Sequence, residues 1–323
     1  MSWIVEEGIG EHRALHLRNG AIVAARVEWP GQLAAGLVAD ARLVSRAAGS
    51  PRGTVRFDSG EDALVDRLPA DASEGAPLRV EVTGSAIGQR GRRKLAHARP
   101  TQASCRPAPT LAECLRGEGH TVRIATRPDA DGWDELWAEA ATGTLPFTGG
   151  ELVCTPTPAM TLIDIDGTLA PRALALAAVP AIATALDRLD ISGSIGIDFP
   201  TLPEKADRKA VDAVLAQALA HRPVERTAIN GFGFVQIVAR LERPSLLHRV
   251  AMDRSGAAAR LLARRTERVA GPGALLLTAP PVVRAAFAPE WESELARRTG
   301  RTIHWREDPD LAWHGGFAQA VAS

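Results

Sequence analysis

"TLIDIDGTLAPRALALAAVPAIATALDRLDISGSIGIDF", Thr161–Phe199, decides how the chain is to be read. One apolar run ends in Asp164, a helix-length stretch rich in Ala and Leu opens on Pro171, and a second apolar run ends in Asp198, 34 residues after the first aspartate. That spacing predicts a βαβ unit, whose crossover lays the two strands parallel and side by side. Both carboxylates then emerge at one carboxyl edge, from strands about 4.8 Å apart, where oxygen ligands can hold a hard cation between them. Asp166, two residues beyond Asp164 on the same side of an extended chain, is a third oxygen donor. A second reading stays open, because strand-end aspartates also form turns and cap helices: Asp166 precedes Gly167-Thr168, and Asp198 precedes Phe199-Pro200.

Around this unit the composition is that of a folded chain. Its 323 residues, 46% hydrophobic and 24% charged, suffice for two domains. The 38 Lys and Arg balance the 38 Asp and Glu, so contact with nucleic acid has to come from a local basic patch. Cys105, Cys114 and Cys154 contain no C-x-x-C pair; this argues against a disulfide framework or a cysteine zinc site and suits a reducing cytoplasm. "MSWIVEEGIGEH" has no basic leader and no stretch reaches about 18 apolar residues, so neither a signal peptide nor a membrane span is expected.

Residues 1–100 carry a β pattern. "HRALHLRNGAIVAARVEW" alternates on both sides of Asn19-Gly20, the dipeptide of a type I′ hairpin. Strand-like runs follow in "GLVADARLVS", "GTVRF", "EDALVDRL" and "APLRVEVT", which suggests a small barrel or meander. A basic cluster, Arg90, Arg92, Arg93 and Lys94, precedes the proline-rich "ARPTQASCRPAPT", a boundary; the cluster suits either RNA phosphate or a solvated strand end. From there the pattern is α/β. "TLAECLRGEG", "DGWDELWAEAA" and "EKADRKAVDAVLAQALAHR" are helices, the second with Trp133 and Trp137 placed for core packing. "HTVRIAT", "TAINGFGFVQIVARLE", "ALLLTA" and "TIHW" are strand regions, with further helices at 253–269 and in "PEWESELARRTG".

Three blocks, "GGELVCTPTPAMTLIDIDG", "GSIGIDFPTLPEKADRKAVDAVLAQAL" and "NGFGFVQIVARLERPSL", resemble in order and separation the catalytic region of the ribonuclease E/G family. "GEHRALHLRNGAIVAARVE" resembles that family's opening hairpin. The resemblance implies an α/β (α+β overall) fold: a ribonuclease-H-like α/β domain with an N-terminal β-hairpin and a small OB-type β-barrel. It divides the chain into 1–100 (hairpin and RNA-binding barrel), 101–148 (a sensor-like α/β segment) and 149–323 (the catalytic domain with a C-terminal α/β extension). It also implies a cytoplasmic, Mg²⁺-dependent (or Mn²⁺-dependent) endoribonuclease that cleaves single-stranded RNA by water attack, with Asp164 and Asp198 as catalytic metal ligands and Asp166 beside them. Arg123 matches the family's 5′-end sensor arginine. Lys205, Arg208 and Lys209 after Asp198, Asn230, and Arg240 with Arg243 beyond "GFGF" are expected at the RNA. Solvated surface charge is the alternative for the basic residues, and turn formation for Asn230.

The chain departs from that family at several points. Asp166 stands where Asn is common, Ile124 replaces the sensor threonine, and the cysteine pair after "RPSL" is absent, so a homo-oligomer, if formed, is not zinc-linked. Phe57 is the only aromatic residue between 30 and 100, which limits base stacking by the barrel and leaves a noncatalytic RNA-binding scaffold as an alternative. "DIDGTL" by itself resembles the opening motif of haloacid-dehalogenase phosphohydrolases. That resemblance implies Asp164 as a nucleophile and requires a later acidic pair, for which Asp308 and Asp310 are the only late candidates.

Overall fold

The computed structural model describes residues 2–89, 92–126 and 132–322. It opens with β1 (Ser2–Glu7) and the hairpin β2 (His12–Arg18) and β3 (Ala21–Glu28). Asn19 and Gly20 sit at φ of 52° and 80°, the two positive values that a type I′ turn needs and that this dipeptide tolerates. Leu15, Ile22, Ala25 and Val27 point from the hairpin into the main core.

The barrel follows: β4 (Val38–Arg46), β5 (Arg52–Arg56), β6 (Asp62–Asp66) and β7 (Pro77–Gly84), then a short ribbon of β8 (Ile87–Gln89) and β9 (Arg92–Lys94), and last β10 (Ala96–Pro100). It closes in the order β10-β6-β5-β4-β7, with β10 parallel to β6 and antiparallel to β7. Leu43, Val55, Val65, Val80 and Val82 fill it. β10, at the head of what the sequence marks as a boundary, completes the barrel. Its inward residues, Ala96 and Ala98, are buried, but alanine has little strand preference and leaves little pattern to read.

Helix α1 (Leu111–Gly117) starts at a capping box in which Thr110 and Glu113 satisfy each other's backbone N–H. It leads to β11 (Thr121–Ile124), which pairs parallel with β1 and completes the sheet β11-β1-β2-β3. The barrel is thus an insertion between strands of one sheet.

Next come α2 (Trp133–Thr142), with Trp133 and Trp137 both buried, and the strands β12 (Thr144–Phe147), β13 (Gly150–Pro156) and β14 (Thr161–Gly167). Helix α3 (Pro171–Arg188) buries Leu174, Val179, Ile182 and Leu186 along one face, despite Pro180, and connects to β15 (Gly193–Asp198). After α4 (Lys205–Ala218), β16 (Val224–Arg226) and β17 (Phe234–Ala239) complete a six-stranded sheet in the order β12-β13-β14-β15-β17-β16. Its apolar face and the hairpin share one core.

The rest of the chain is α5 (Leu246–Met252), α6 (Arg254–Glu267), β18 (Ala274–Ala279), α7 (Pro281–Ala286), α8 (Pro289–Thr299), β19 (Ile303–Glu307) and β20 (Phe317–Val321). β18 pairs parallel with β19 and antiparallel with β20, over a separate core that also takes in Ile9. The molecule is therefore mixed α/β with a closed five-stranded barrel. Among the described residues no helix is long and apolar enough to cross a membrane.

Between the N-terminal sheet and α6 lies a buried charged layer. Arg13, 1% exposed, reaches Glu6 at 3.4 Å and Glu11 at 2.7 Å. Arg264 of α6 approaches Glu6 at 3.5 Å, and both arginines stack on Trp133, at 4.7 and 5.4 Å. Trp29 donates its indole N–H to Glu11 at 2.9 Å.

Candidate metal and nucleic-acid site

Period-two alternation sorts the side chains of β14. Ile163 and Ile165 are buried, whereas Leu162, Asp164 and Asp166 are exposed on the opposite face. On β15 the same alternation buries Ile195 and Ile197 and exposes Asp198. The two strands are adjacent and parallel, and Asp164 is the direct register partner of Asp198. The βαβ expectation holds in topology and register: two carboxylates leave neighbouring parallel strands on one face, with Asp166 one step further along the same row. Asp198 ends β15, but Asp164 does not end its strand, because β14 runs on to Gly167 through its pairing with β13. Asp164 accepts a hydrogen bond from the Ile165 backbone N–H at 3.0 Å.

The helices that follow the two strands supply the surroundings. Each begins beyond the carboxyl edge of its strand, and Arg172 on the first turn of α3 bridges to Asp207 on the first turn of α4 at 3.0 Å. Lys205 and Lys209 are exposed. Arg208 is half-buried and donates to the carbonyls of Leu202 and Pro203, so its guanidinium ties down the loop that leads from Asp198 into α4. A third segment closes on the same edge. Phe234 is the register partner of Asp198, and the Asn230 side-chain oxygen accepts from the N–H groups of Phe232 and Phe234 at 2.9 and 3.0 Å. Asn230 thus forms the turn. Gly233, at φ 90°, presses so close to Phe199 that a Cβ there would lie 2.4 Å from its carbonyl oxygen. The turn leaves Phe232 85% exposed.

Other sequence candidates lie elsewhere. Arg240 and Arg243 do not flank the acid pair, because β17 runs antiparallel to β15 and pairs Ala239 with Gly193, at the far end from Asp198. Five residue steps of about 3.4 Å separate the two ends by roughly 17 Å. Arg243 is also engaged there, at 3.5 Å from Asp190 and 3.4 Å from Glu242. Arg123 is exposed on β11, in the other sheet, and the neighbouring Ile124 is 55% exposed. In the basic cluster Arg90 lies outside the described residues, while Arg92, Arg93 and Lys94 form β9 of the small ribbon. Phe57 is 5% exposed inside the barrel core, so it offers no stacking face. Asp308 and Asp310 follow β19, in a different sheet from β14, and the Asp308 side chain accepts from the Asp310 N–H in a local turn.

Three residues join the site that sequence reasoning did not select: Arg172; Phe232; and Glu151, the exposed register partner of Asp166 on β13. Only Arg172 had a local signal, a cation two residues inside the helix that follows the aspartates. An all-oxygen donor set suits a hard cation such as Mg²⁺ or Mn²⁺ and not a soft one. Among the described residues no three His, Cys, Asp or Glu side chains are already gathered around a common point, so the fit rests on the paired Asp164 and Asp198. No family model matches the chain, and no curated protein matches it.

Proposed function

We propose that the chain is a metal-dependent endoribonuclease of the ribonuclease E/G type, built on a ribonuclease-H-like sheet with an OB-type barrel, and that it cleaves single-stranded RNA at Asp164 and Asp198. The observation that carries this reading is the direct register of two exposed aspartates on adjacent parallel strands, Asp198 at the end of β15 and Asp164 opposite it within β14. With Asp166 beside them they would hold Mg²⁺, or Mn²⁺, which when bound neutralises phosphodiester charge and lowers the pKa of a water. The remaining roles belong to the chain itself. Lys205, Lys209 and Arg172 present cations at the start of α4 and α3, where the helix dipole adds to their attraction for phosphate. Phe232 offers a face on which a base stacks next to the scissile position. Arg208 and Asn230 position the two loops that carry these groups.

The test is cleavage of a labelled single-stranded RNA in Mg²⁺. Asp164→Asn and Asp198→Asn are each expected to lower the rate by about 100-fold or more, in keeping with the loss of a principal electrostatic group. Because both carboxylates are exposed, folding stability should move by only about 0.5 kcal/mol. A wild type that cuts no RNA, or aspartate variants that cut as well as wild type, overturns the reading. The buried Phe57 favours a second reading, a noncatalytic RNA-binding scaffold with contacts from cations alone. RNA that is bound but left intact by all three proteins selects it.

A further inference from the structure

At the Arg243 end of β17, roughly 17 Å from the acid pair along the strand, the barrel, the hairpin and α5 border a cavity of about 250 Å³ that opens to solvent. Trp29, Leu33, Thr83, Cys114 and Arg249 are among the residues that line it. Arg249 is 7% exposed and lies over the Trp29 ring at 5.1 Å, while Arg260 lies over the same ring at 3.8 Å. The Arg249 Nε has no hydrogen-bond partner. Burial draws its pKa down to about 10, and the carboxylates that counter this, Glu11 and Glu28, act through space rather than through a hydrogen bond. The guanidinium is therefore charged at neutral pH, largely removed from water and without a bonded anion, an arrangement that is costly unless something pairs with it.

The other charges on the wall are largely accounted for. Glu81 is held by Arg99 at 2.7 Å, and Glu242 lies between Arg240 at 3.2 Å and Arg243 at 3.4 Å. Arg249 and the half-buried Glu28 remain as the cation and anion that face the cavity. A stacked guanidinium keeps its N–H edge available, and that edge matches the two oxygens of a phosphate or a carboxylate.

We propose that this cavity binds a small molecule that brings an oxyanion, phosphate or carboxylate, to Arg249 and a hydrogen-bond donor to Glu28. The site is independent of the metal-binding edge.

Isothermal titration of the full chain with inorganic phosphate, O-phosphoethanolamine and glycine tests it, together with iodoacetamide alkylation of Cys114 in a Cys105→Ser background, where the remaining Cys154 is buried. O-phosphoethanolamine, which carries both groups, should bind at least tenfold more tightly than phosphate and slow Cys114 alkylation several-fold. Arg249→Gln should abolish both effects, and Glu28→Gln should reduce O-phosphoethanolamine to the affinity of phosphate. Binding of glycine without the phosphates identifies the oxyanion as a carboxylate and supports the site. Should Arg249→Gln fail to fold, Ala35→Trp, which fills the cavity from its surface loop and leaves Arg249 in place, is expected to abolish binding. Absence of binding by all three probes to the wild type, or undiminished binding in the folded variants, overturns the proposal.

Discussion

Phe232 is the most exposed of the large apolar side chains at the acid edge, and its exposure is imposed by its neighbours. Asn230 and Gly233 fix the backbone on either side, and the two N–H groups held by the Asn230 oxygen keep the turn that carries the ring outward. If the ring stacks on a base, Phe232→Ala should weaken single-stranded RNA binding by about 1–3 kcal/mol and leave the thermal midpoint within a degree or so, as measured by fluorescence anisotropy and calorimetry. Arg208 and Lys209 form a contrasting pair one residue apart. Arg208→Ala removes the donor to two loop carbonyls and should cost about 1–2 kcal/mol of stability in urea unfolding. Lys209→Ala should leave stability unchanged and flatten the salt dependence of RNA affinity by about one phosphate's worth. Sequence alone groups the two as one basic patch, since both lie in the first turns of the same helix. Only the loop carbonyls distinguish them, and those lie six and five residues back in a segment without periodicity.

Single elements show where the chain was legible and where it was not. The Asn19-Gly20 hairpin and the β14-α3-β15 crossover could be read because each rests on local rules: a dipeptide that tolerates positive φ, and an alternation that breaks into helical spacing at Pro171. β10 escaped because its inward residues are alanines, and β16, only three residues long, carries no pattern. The direction of β17 escaped for another reason. Whether a strand joins its neighbour parallel or antiparallel is set by the loop before it, here 227–233, and this is what moved Arg240 and Arg243 away from the aspartates. The short helix α5 also went unread, although Ser245 caps it by accepting from the His248 N–H at 3.1 Å. Inside that helix burial lowers the His248 pKa to about 4. The folded state thus prefers the neutral ring, whereas the unfolded chain takes up a proton near pH 6.5. Stability from this group is complete above pH 6.5 and is lost as the pH falls towards 4, by roughly 3 kcal/mol in all. Denaturation at pH 7 and pH 4.5 should show a drop in wild type that exceeds the drop in His248→Gln by most of that amount.

For the whole molecule, the decisive contact is the buried layer that joins the N-terminal sheet to α6. Arg13→Met leaves Glu6 and Glu11 buried without their principal cation, which should cost about 3–5 kcal/mol. Since burial already raises the pKa of Glu6, the loss should deepen as pH rises; urea midpoints of the variant at pH 5.5 and 8 check both size and slope. The division of labour within the fold was harder to foresee than its parts, because the sequence places Ile9 next to the hairpin while the structure seats it in the core of α6, β18 and α8. The insertion of the barrel has a consequence for synthesis. β1 is made long before its parallel partner β11, which follows more than a hundred residues later. At roughly 5–20 residues per second, Trp3, Ile4 and Val5 wait on the order of 10 s before the neighbour that covers their edge exists. A nascent chain halted before Thr121 therefore carries this apolar strand with one edge bare, and the four-stranded sheet cannot close around it however far the barrel in between has folded.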